Sequence, residues 1–133
     1  MIFDLRHNPG GDNTTYPLLL ETIRDIQQPL WVLTDRITFS AASNLATEIE
    51  QTTDARFAGE AMGGGLNFWD DVQFVELVNL PIALSVGIST RYWQKSFAED
   101  PRLTIEPDLA VPHRSEDYFG GVDAILQAVL SAP

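Results

Sequence analysis

The sequence predicts an α/β domain built around a largely parallel β-sheet. In its first half, short apolar runs alternate with segments of helical periodicity, which is the pattern of strand–helix–strand units. In its second half, closely spaced apolar runs predict hairpin-like strands. The 133 residues, of which 44% are hydrophobic, are enough for one domain with its own core.

The first two strands are predicted at residues 1–5 and 30–34, which are short apolar runs. A dense group of turn-forming residues, 8–13, follows the first run, so a tight loop should end that strand. We expect the two strands to be parallel, because a helical segment lies between them. Since a strand at the very start is unusual, we also expect residues 1–133 to be a catalytic-core portion that lacks its N-terminal part.

Two helices are predicted in the first half. Apolar residues recur at helical spacing over residues 16–27, with Thr14 or Thr15 as the expected cap and Pro17 in the first turn. The second helix is predicted to begin just after Ser40. Five of its residues share one face: Ala41, Ala42, Leu45, Ala46 and Ile49.

Four further strands are predicted from β-branched and aromatic content: residues 56–60, 72–78, 82–86 and 88–93. Pro81 limits where the third of these can begin. The polar, proline-punctuated stretch 94–115 is predicted to be irregular. A last helix is predicted from the helical spacing of five apolar residues: Val122, Ile125, Leu126, Val129 and Leu130.

The composition excludes several classes of function. Eight Lys and Arg against 19 Asp and Glu give a net charge of −11, which repels nucleic-acid phosphates and anionic lipids. Without cysteine the chain has no disulfide or thiolate metal site, and no apolar run reaches the roughly 20 residues of a membrane span. Residues 63–65 are three glycines without the Lys-Ser/Thr ending of a P-loop, so no nucleotide or other cofactor is expected.

Ser40 is the candidate nucleophile. A serine hydroxyl needs a base to take its proton and donors to receive the oxyanion. At a helix entrance the free N–H groups and the helix dipole favour negative charge beside Ser40. The alternative is that Thr38 or Ser40 merely caps the helix, because serine and threonine are preferred caps.

Gly10 and Gly11 are a second candidate feature. Glycine lets backbone N–H groups approach a ligand closely and adopt left-handed conformations, so this pair could supply another oxyanion donor. A plain turn after the first strand is the alternative. The sequence contains no G-x-S-x-G motif, which argues against an α/β-hydrolase.

Several motifs together resemble the C-terminal-processing, or tail-specific, serine peptidases. In order they are residues 2–11 (IFDLRHNPGG), 38–42 (TFSAA), 59–65 (GEAMGGG), 105–111 (IEPDLAV) and 117–120 (DYFG). The resemblance covers nearly the whole chain. It implies a ClpP/crotonase-like spiral of ββα units and hydrolysis of a peptide or protein substrate through an acyl-enzyme.

The resemblance also implies roles for individual residues. Ser40 matches the nucleophile of the family, and the N–H of Ala41 with that of Gly10 or Gly11 matches its oxyanion hole. Three residues match those that brace the glycine loop: Asp4, Arg6 and Asn8. A turn and salt-bridge role is the simpler explanation for those three.

The general base is where the match fails. Gly65 stands where one branch has a catalytic lysine, and the only lysine is Lys95, so a Ser/Lys dyad is not expected. The sequence is similar to the branch of the tricorn core and the interphotoreceptor retinoid-binding protein repeats, whose peptidases use a histidine upstream of this region. His7 and His113 are present, but neither matches that base.

Other positions also depart from the family pattern. Ser43 stands where the family often has glutamate, and Met62 where it often has threonine, so substrate binding or activity could be altered. An acidic group that orients the base is expected, with Glu99 and Glu106 as candidates.

Two other functions are compatible with the same motifs. A binding module of the same fold that has lost catalysis would use four aromatic residues to bind peptides or apolar ligands: Phe68, Trp69, Tyr92 and Trp93. An acyl-CoA enzyme is disfavoured by the serine and by the net charge. A homo-oligomer is possible, and the resemblance suggests a bacterial envelope or exported location although the chain shows no signal peptide.

Overall fold

A computed structural model describes residues 1–80 and 82–132 of the chain. In chain order its elements are β1 (Ile2–Asp4), α1 (Pro17–Arg24), β2 (Trp31–Thr34), α2 (Ala41–Thr52), β3 (Arg56–Gly59), β4 (Asn67–Glu76), β5 (Ser85–Gln94), β6 (Leu109–Ala110), α3 (Ser115–Gly120) and α4 (Ala124–Ser131). None of the helices within these ranges has the length and apolar character needed to cross a membrane.

Four strands form one parallel sheet in the order β1-β2-β3-β6. Val32 at its centre pairs with Phe3 on one side and with Phe57 on the other. The α/β class, the mostly parallel sheet and the parallel pairing of the first two strands are confirmed. Because parallel strands end at the same edge, the loops that follow β1 and β2 and carry Gly10 and Ser40 leave the sheet together.

Helices cover both faces of this sheet. Leu20 and Ile49, from α1 and α2, pack with Val32 and Phe57 in one buried cluster. Side chains of successive strand residues point to opposite faces, so Trp31, Leu33 and Ala58 instead pack with Ile125 and Val129 of α4. The apolar face predicted for the second helix is buried over all five of its positions: Ala41, Ala42, Leu45, Ala46 and Ile49.

The strands β4 and β5 form a separate antiparallel hairpin, paired from Asn67 with Gln94 to Glu76 with Ser85. The prediction of three strands between residues 72 and 93 is wrong, because 82–84 lie in the connection and 85–94 are one strand. The N–H of Leu77 donates to Leu84 O at 2.9 Å and closes that connection. Pro81, on which the prediction partly rested, lies outside the described residues.

Local details differ from the predictions in two other places. Tyr16, not Thr14 or Thr15, occupies the N-cap of α1, and it makes no side-chain capping bond, while Pro17 does lie in the first turn. The stretch predicted to be irregular contains β6, whose short pairing with β3 brings Val111 N within 2.9 Å of Gly59 O. Two residues give too little periodicity for a sequence pattern to reveal.

Candidate active site

Ser40 has an unusual backbone conformation at the start of α2. Its φ of 52° and ψ of −123° lie outside the regions that non-glycine residues ordinarily occupy. Such a conformation costs on the order of 1–3 kcal/mol and is characteristic of functional sites. Its side chain makes no capping hydrogen bond, so capping does not account for Ser40. Thr38 does not cap α2 either, because its hydroxyl donates to Leu5 O at 2.9 Å.

The first N–H of α2 belongs to Ala41, the residue that follows Ser40. Within residues 1–80 and 82–132, the N–H of Ala41 has no hydrogen-bond acceptor, whereas the N–H of Ala42 donates to Phe39 O at 3.1 Å. α2 is 12 residues long, so the positive end of its dipole adds to this free donor. The arrangement can stabilise a negative oxygen close to the Ser40 hydroxyl.

Gly10 packs directly on Ser40, and only glycine fits there. A Cβ at Gly10 would lie 2.6 Å from Phe39 O and 2.7 Å from both Ala41 N and Ser40 Cβ, and its φ is +98°. The N–H of Gly10 is already bonded to Asn8 Oδ1 at 2.9 Å. The N–H of Gly11 has no acceptor among the described residues, so Gly11 rather than Gly10 has the free donor.

Asn8 joins the glycine loop to the Ser40 turn. Its carbonyl accepts a hydrogen bond from Phe39 N at 3.1 Å, while its side chain holds Gly10 N. The two loops that leave the sheet edge are therefore fixed to each other through one residue. A shift of Asn8 would move the free N–H groups relative to Ser40.

Asp4 and Arg6 form an ion-pair network at the start of the glycine loop. Asp123, which the sequence analysis missed, is its third member. Arg6 lies 2.7 Å from Asp4 Oδ2 and 2.7 Å from Asp123 Oδ1. Asp123 is also the N-cap of α4, accepting a hydrogen bond from Leu126 N at 2.9 Å. Hydrogen bonds from Arg6 lower the pKa of Asp123 to about 2. Burial opposes the ionised form of Asp4, but the Arg6 hydrogen bonds outweigh it and lower its pKa as well.

Asp35 holds the turn that leads to Ser40, and it too was missed. It is buried, and its carboxylate accepts hydrogen bonds from Ile37 N at 2.9 Å and from Thr38 N at 3.1 Å. It also accepts a hydrogen bond from the backbone N–H of His7, and its Oδ2 lies 2.8 Å from Nδ1 of the His7 ring. An aspartate three residues before a threonine in a short strand-to-helix loop is the signal that could have identified this turn.

Neither histidine contacts Ser40 among the described residues. The ring of His7 is bound to Asp35 on one side and lies 6.2 Å from the ring of His113. The backbone N–H of His113 donates to Glu60 Oε1 at 3.3 Å. These contacts place the ring of His7 at the Asp35 carboxylate and the backbone of His113 at Glu60, and neither residue is hydrogen-bonded to Ser40 among the described residues.

The group that does contact the Ser40 hydroxyl is Asp70. Ser40 Oγ donates to Asp70 Oδ2 at 2.9 Å in a half-buried position. Glu99 and Glu106, the acidic residues suggested by the sequence, are exposed and make no hydrogen bond to Ser40 in the described part of the chain. The signal for Asp70 was a pair of adjacent carboxylates, with Asp71, inside an otherwise apolar run.

The triple glycine packs against the Ser40 turn. The N–H groups of Gly63 and Gly64 both donate to Thr38 O, at 3.1 and 3.2 Å. A Cβ at Gly64 would lie 2.2 Å from the hydroxyl of Ser43, which itself donates to Thr38 O at 3.0 Å. The packing explains why glycine and a small serine occur together, and Met62 is buried beside them in the main core.

Lys95 makes no hydrogen bond to Ser40 among the described residues. It pairs with Glu48 and lies 5.9 Å from the ring of Tyr16. Burial favours its neutral form, but hydrogen bonds to Glu48 and Tyr16 outweigh that effect and raise its pKa. A lysine held in its charged form is a poor proton acceptor.

A cleft of about 370 Å³ opens beside the two free N–H groups. Gly10, Gly11 and Ala41 form one side of it. Six apolar residues line the rest of it together with four polar ones: Phe3, Leu5, Tyr16, Leu19, Ala42 and Leu45, and Asp4, Asn8, Asp12 and Thr15. No group of three or more His, Asp or Glu side chains suited to a metal ion occurs within residues 1–80 and 82–132.

Solved structures share this fold. A candidate peptidase from Parabacteroides merdae matches 97% of this chain and 50% of its own, with a TM-score of 0.66 and 23% identity. The photosystem II D1 C-terminal processing protease matches 84% of this chain and 34% of its own, with a TM-score of 0.53 and 20% identity. A lipoprotein from Streptococcus agalactiae matches 98% of this chain and 52% of its own, with a TM-score of 0.52 and 14% identity.

Because all three identities lie below 25%, these similarities establish the fold and nothing beyond it. The chain spans about half, or less, of the length of the structures that it matches. The sequence matches no protein-family model and no curated protein. Two of the three neighbours carry a peptidase or protease description, so the fold is one that peptidases use.

Proposed function

We propose that this chain carries the nucleophile of a serine-type peptidase, with Ser40 forming an acyl-enzyme. The observation that carries the proposal is the strained Ser40 at the start of α2, with the free N–H of Ala41 next to it in the chain and the free N–H of Gly11 in the loop that packs on it through Gly10. Oγ would attack the peptide carbonyl carbon, and the carbonyl oxygen would receive hydrogen bonds from these donors. The C–N bond then breaks, and water hydrolyses the ester.

The C-terminal-processing type is the subclass that we favour. The motifs at residues 2–11, 38–42 and 59–65 support it, and so does a common fold with the D1 processing protease. The substrate would be a peptide or protein. Among the branches of that family, the one of the tricorn core and the retinoid-binding repeats fits best, because Gly65 replaces the lysine of the other branch.

The 133 residues would be one part of a longer catalytic domain. Support comes from the matched structures, of which the chain spans about half or less. The rest of such a domain would complete the substrate-binding surface. The family resemblance also implies that a base histidine lies there, upstream of these residues.

Labelling with a fluorophosphonate tests the nucleophile. We expect a covalent adduct on Ser40, mapped by mass spectrometry, because the probe reacts with activated serines and its P=O oxygen occupies the oxyanion hole. Ser40→Ala should abolish the adduct and peptide hydrolysis. Ser89→Ala, at an exposed serine on β5, is the matched control and should leave both unchanged.

The absence of an adduct would favour the second candidate, a peptide- or apolar-ligand-binding module without catalysis. The hairpin is the observation in its favour, because Trp69 and Tyr92 lie 5.5 Å apart and are 64% and 45% exposed. Exposed paired aromatics are suited to binding apolar groups. Peptide binding that persists in Ser40→Ala, without an adduct in the unmodified chain, would identify this function.

A further inference from the structure

A carboxylate of this chain lies where a general base for Ser40 would have to lie. A general base has to lie within about 2.6–3.2 Å of the hydroxyl whose proton it accepts. Asp70 Oδ2 lies 2.9 Å from Ser40 Oγ and receives its hydrogen bond. Among the described residues no other titratable side chain bonds to this hydroxyl.

The local fold directs Asp70 toward Ser40. Asp70 and Phe68 project from the same face of β4, since residues two apart in a strand share a face. The ring of Phe68 lies 6.1 Å from that of Phe39, which fixes the base of the hairpin over the Ser40 turn. The next residue, Asp71, has a φ of 55°, which bends β4 at this point. Non-glycine residues rarely adopt such a φ within a strand.

Asp70 is also free of competing partners. The nearest cation across the hairpin is Arg91, its register partner on β5. The guanidinium of Arg91 lies over the ring of Trp93 at 3.9 Å and approaches Asp71, at 3.9 Å, rather than Asp70. Within residues 1–80 and 82–132 the carboxylate of Asp70 accepts a hydrogen bond from Ser40 only. Its charge is therefore available to take up a proton.

We propose that Asp70 is the general base for Ser40, and this inference rests on the proposed peptidase function. As Oγ bonds to the carbonyl carbon, its proton passes to Asp70 Oδ2. The same proton is then given to the leaving nitrogen as the C–N bond breaks. In the second half, water bonds to the acyl carbon and gives a proton to Asp70. That proton returns to Oγ as the C–O bond to Ser40 breaks.

This assignment differs from the histidine that the family resemblance implies. A carboxylate is a weaker base than an imidazole, so the reaction should be slow. Asp71 and Arg91 are the charged groups that face this position from β4 and β5.

The test compares Asp70→Asn with Asp71→Asn in the 133-residue chain. Asparagine keeps the size and the hydrogen bond of Asp70 but cannot accept the proton as a carboxylate does. We expect Asp70→Asn to slow fluorophosphonate labelling of Ser40 by about 100-fold or more, the usual contribution of a general base. Asp71→Asn should label at close to the original rate, because asparagine tolerates a positive φ.

Rescue by a conservative variant gives the second readout. Asp70→Glu restores a carboxylate at this position, so it should recover a part of the labelling rate that Asp70→Asn loses. Circular dichroism of each variant separates loss of chemistry from loss of fold. Equal labelling rates for Asp70→Asn and the unmodified chain would overturn the role of Asp70 and leave the peptidase proposal unaffected. If Ser40 of the unmodified chain is never labelled, Asp70 does not activate it and this inference is overturned, whereas the peptidase proposal is overturned only if Ser40 is not labelled in the longer catalytic domain either.

Discussion

At the residue scale, the candidate site depends on backbone conformations that most side chains avoid. Ser40 and Gly10 both have positive φ, and they lie in contact with each other. The conformation of Ser40 frees its hydroxyl from capping α2, while the absence of a side chain at Gly10 lets the loop approach Ala41 N. Each residue therefore permits the position of the other.

Gly10→Ala should destabilise the fold by about 2–5 kcal/mol. The left-handed backbone costs about 1–2 kcal/mol for an L-residue, and overpacking adds about 1–3 kcal/mol. The new Cβ would lie 2.7 Å or less from two backbone atoms, Phe39 O and Ala41 N. Urea denaturation monitored by tryptophan fluorescence measures the change.

Gly11→Ala is the matched control, because Gly11 also has a positive φ but has no atom within 4 Å of a built Cβ. It should show the backbone cost without the clash. Equal losses for the two variants would mean that Gly10 is not in contact with the Ser40 turn. Labelling of Ser40 should fall in Gly10→Ala even under conditions where that variant stays folded.

At the element scale, one ion-pair network ties the end of β1 to the start of α4. Arg6 bridges Asp4 and Asp123, and Asp123 in turn caps α4. The glycine loop begins directly after Arg6. The network thus fixes the direction in which that loop leaves the sheet, although Asp4 and Asp123 are partly exposed and solvent weakens the pairing.

Arg6→Met should make the stability of the protein less sensitive to acid. In the folded protein the pKa of Asp123 is about 2, below its ordinary value of 3.8. The stability from this pair is therefore complete above about pH 4 and is lost as the pH falls through about 2. The variant lacks this contribution at neutral pH, so its free energy of unfolding should change less over that interval.

Urea denaturation between pH 2 and pH 7 checks this, with Arg24→Met as the control. Arg24 donates to the Thr52 hydroxyl and pairs with no carboxylate among the described residues. Arg24→Met should therefore keep the acid dependence of the original protein. If Arg6→Met keeps the same acid dependence of the free energy of unfolding, the Asp4–Arg6–Asp123 network contributes nothing measurable to stability.

At the scale of the whole molecule, the structure has a packed part and a projecting part. The parallel sheet is covered on both faces by helices, whereas the hairpin β4–β5 is attached at its base only. There Asp70 accepts a hydrogen bond from Ser40, and Lys95, which follows β5, pairs with Glu48 of α2. Beyond this base, Phe74 and Ile88 are 73% and 51% exposed. A two-stranded hairpin without a covered face is marginally stable in water.

Amide hydrogen exchange should show this division. We expect the amides of residues 72–76 and 85–89 to exchange much faster than those of β2, whose four residues are buried and paired on both sides. Mass spectrometry of peptic fragments gives the comparison within one sample. Equal protection of the two regions would contradict it, and protection of the hairpin that grows with protein concentration would indicate self-association.

The sequence by itself determined the strand–helix order of the first half, the parallel pairing of the first two strands and the buried face of α2. Such features follow from local periodicity and from the geometry of short connections, so one segment is enough to reveal them.

Only the tertiary structure decided which charged groups meet. Asp70 reaches Ser40 because a hairpin 30 residues further along the chain folds back over the turn, and Asp123 reaches Arg6 across 117 residues. The free N–H of Gly11, rather than Gly10, likewise depends on where the side chain of Asn8 points. Contacts between distant segments depend on packing and orientation, which no local pattern of residues contains.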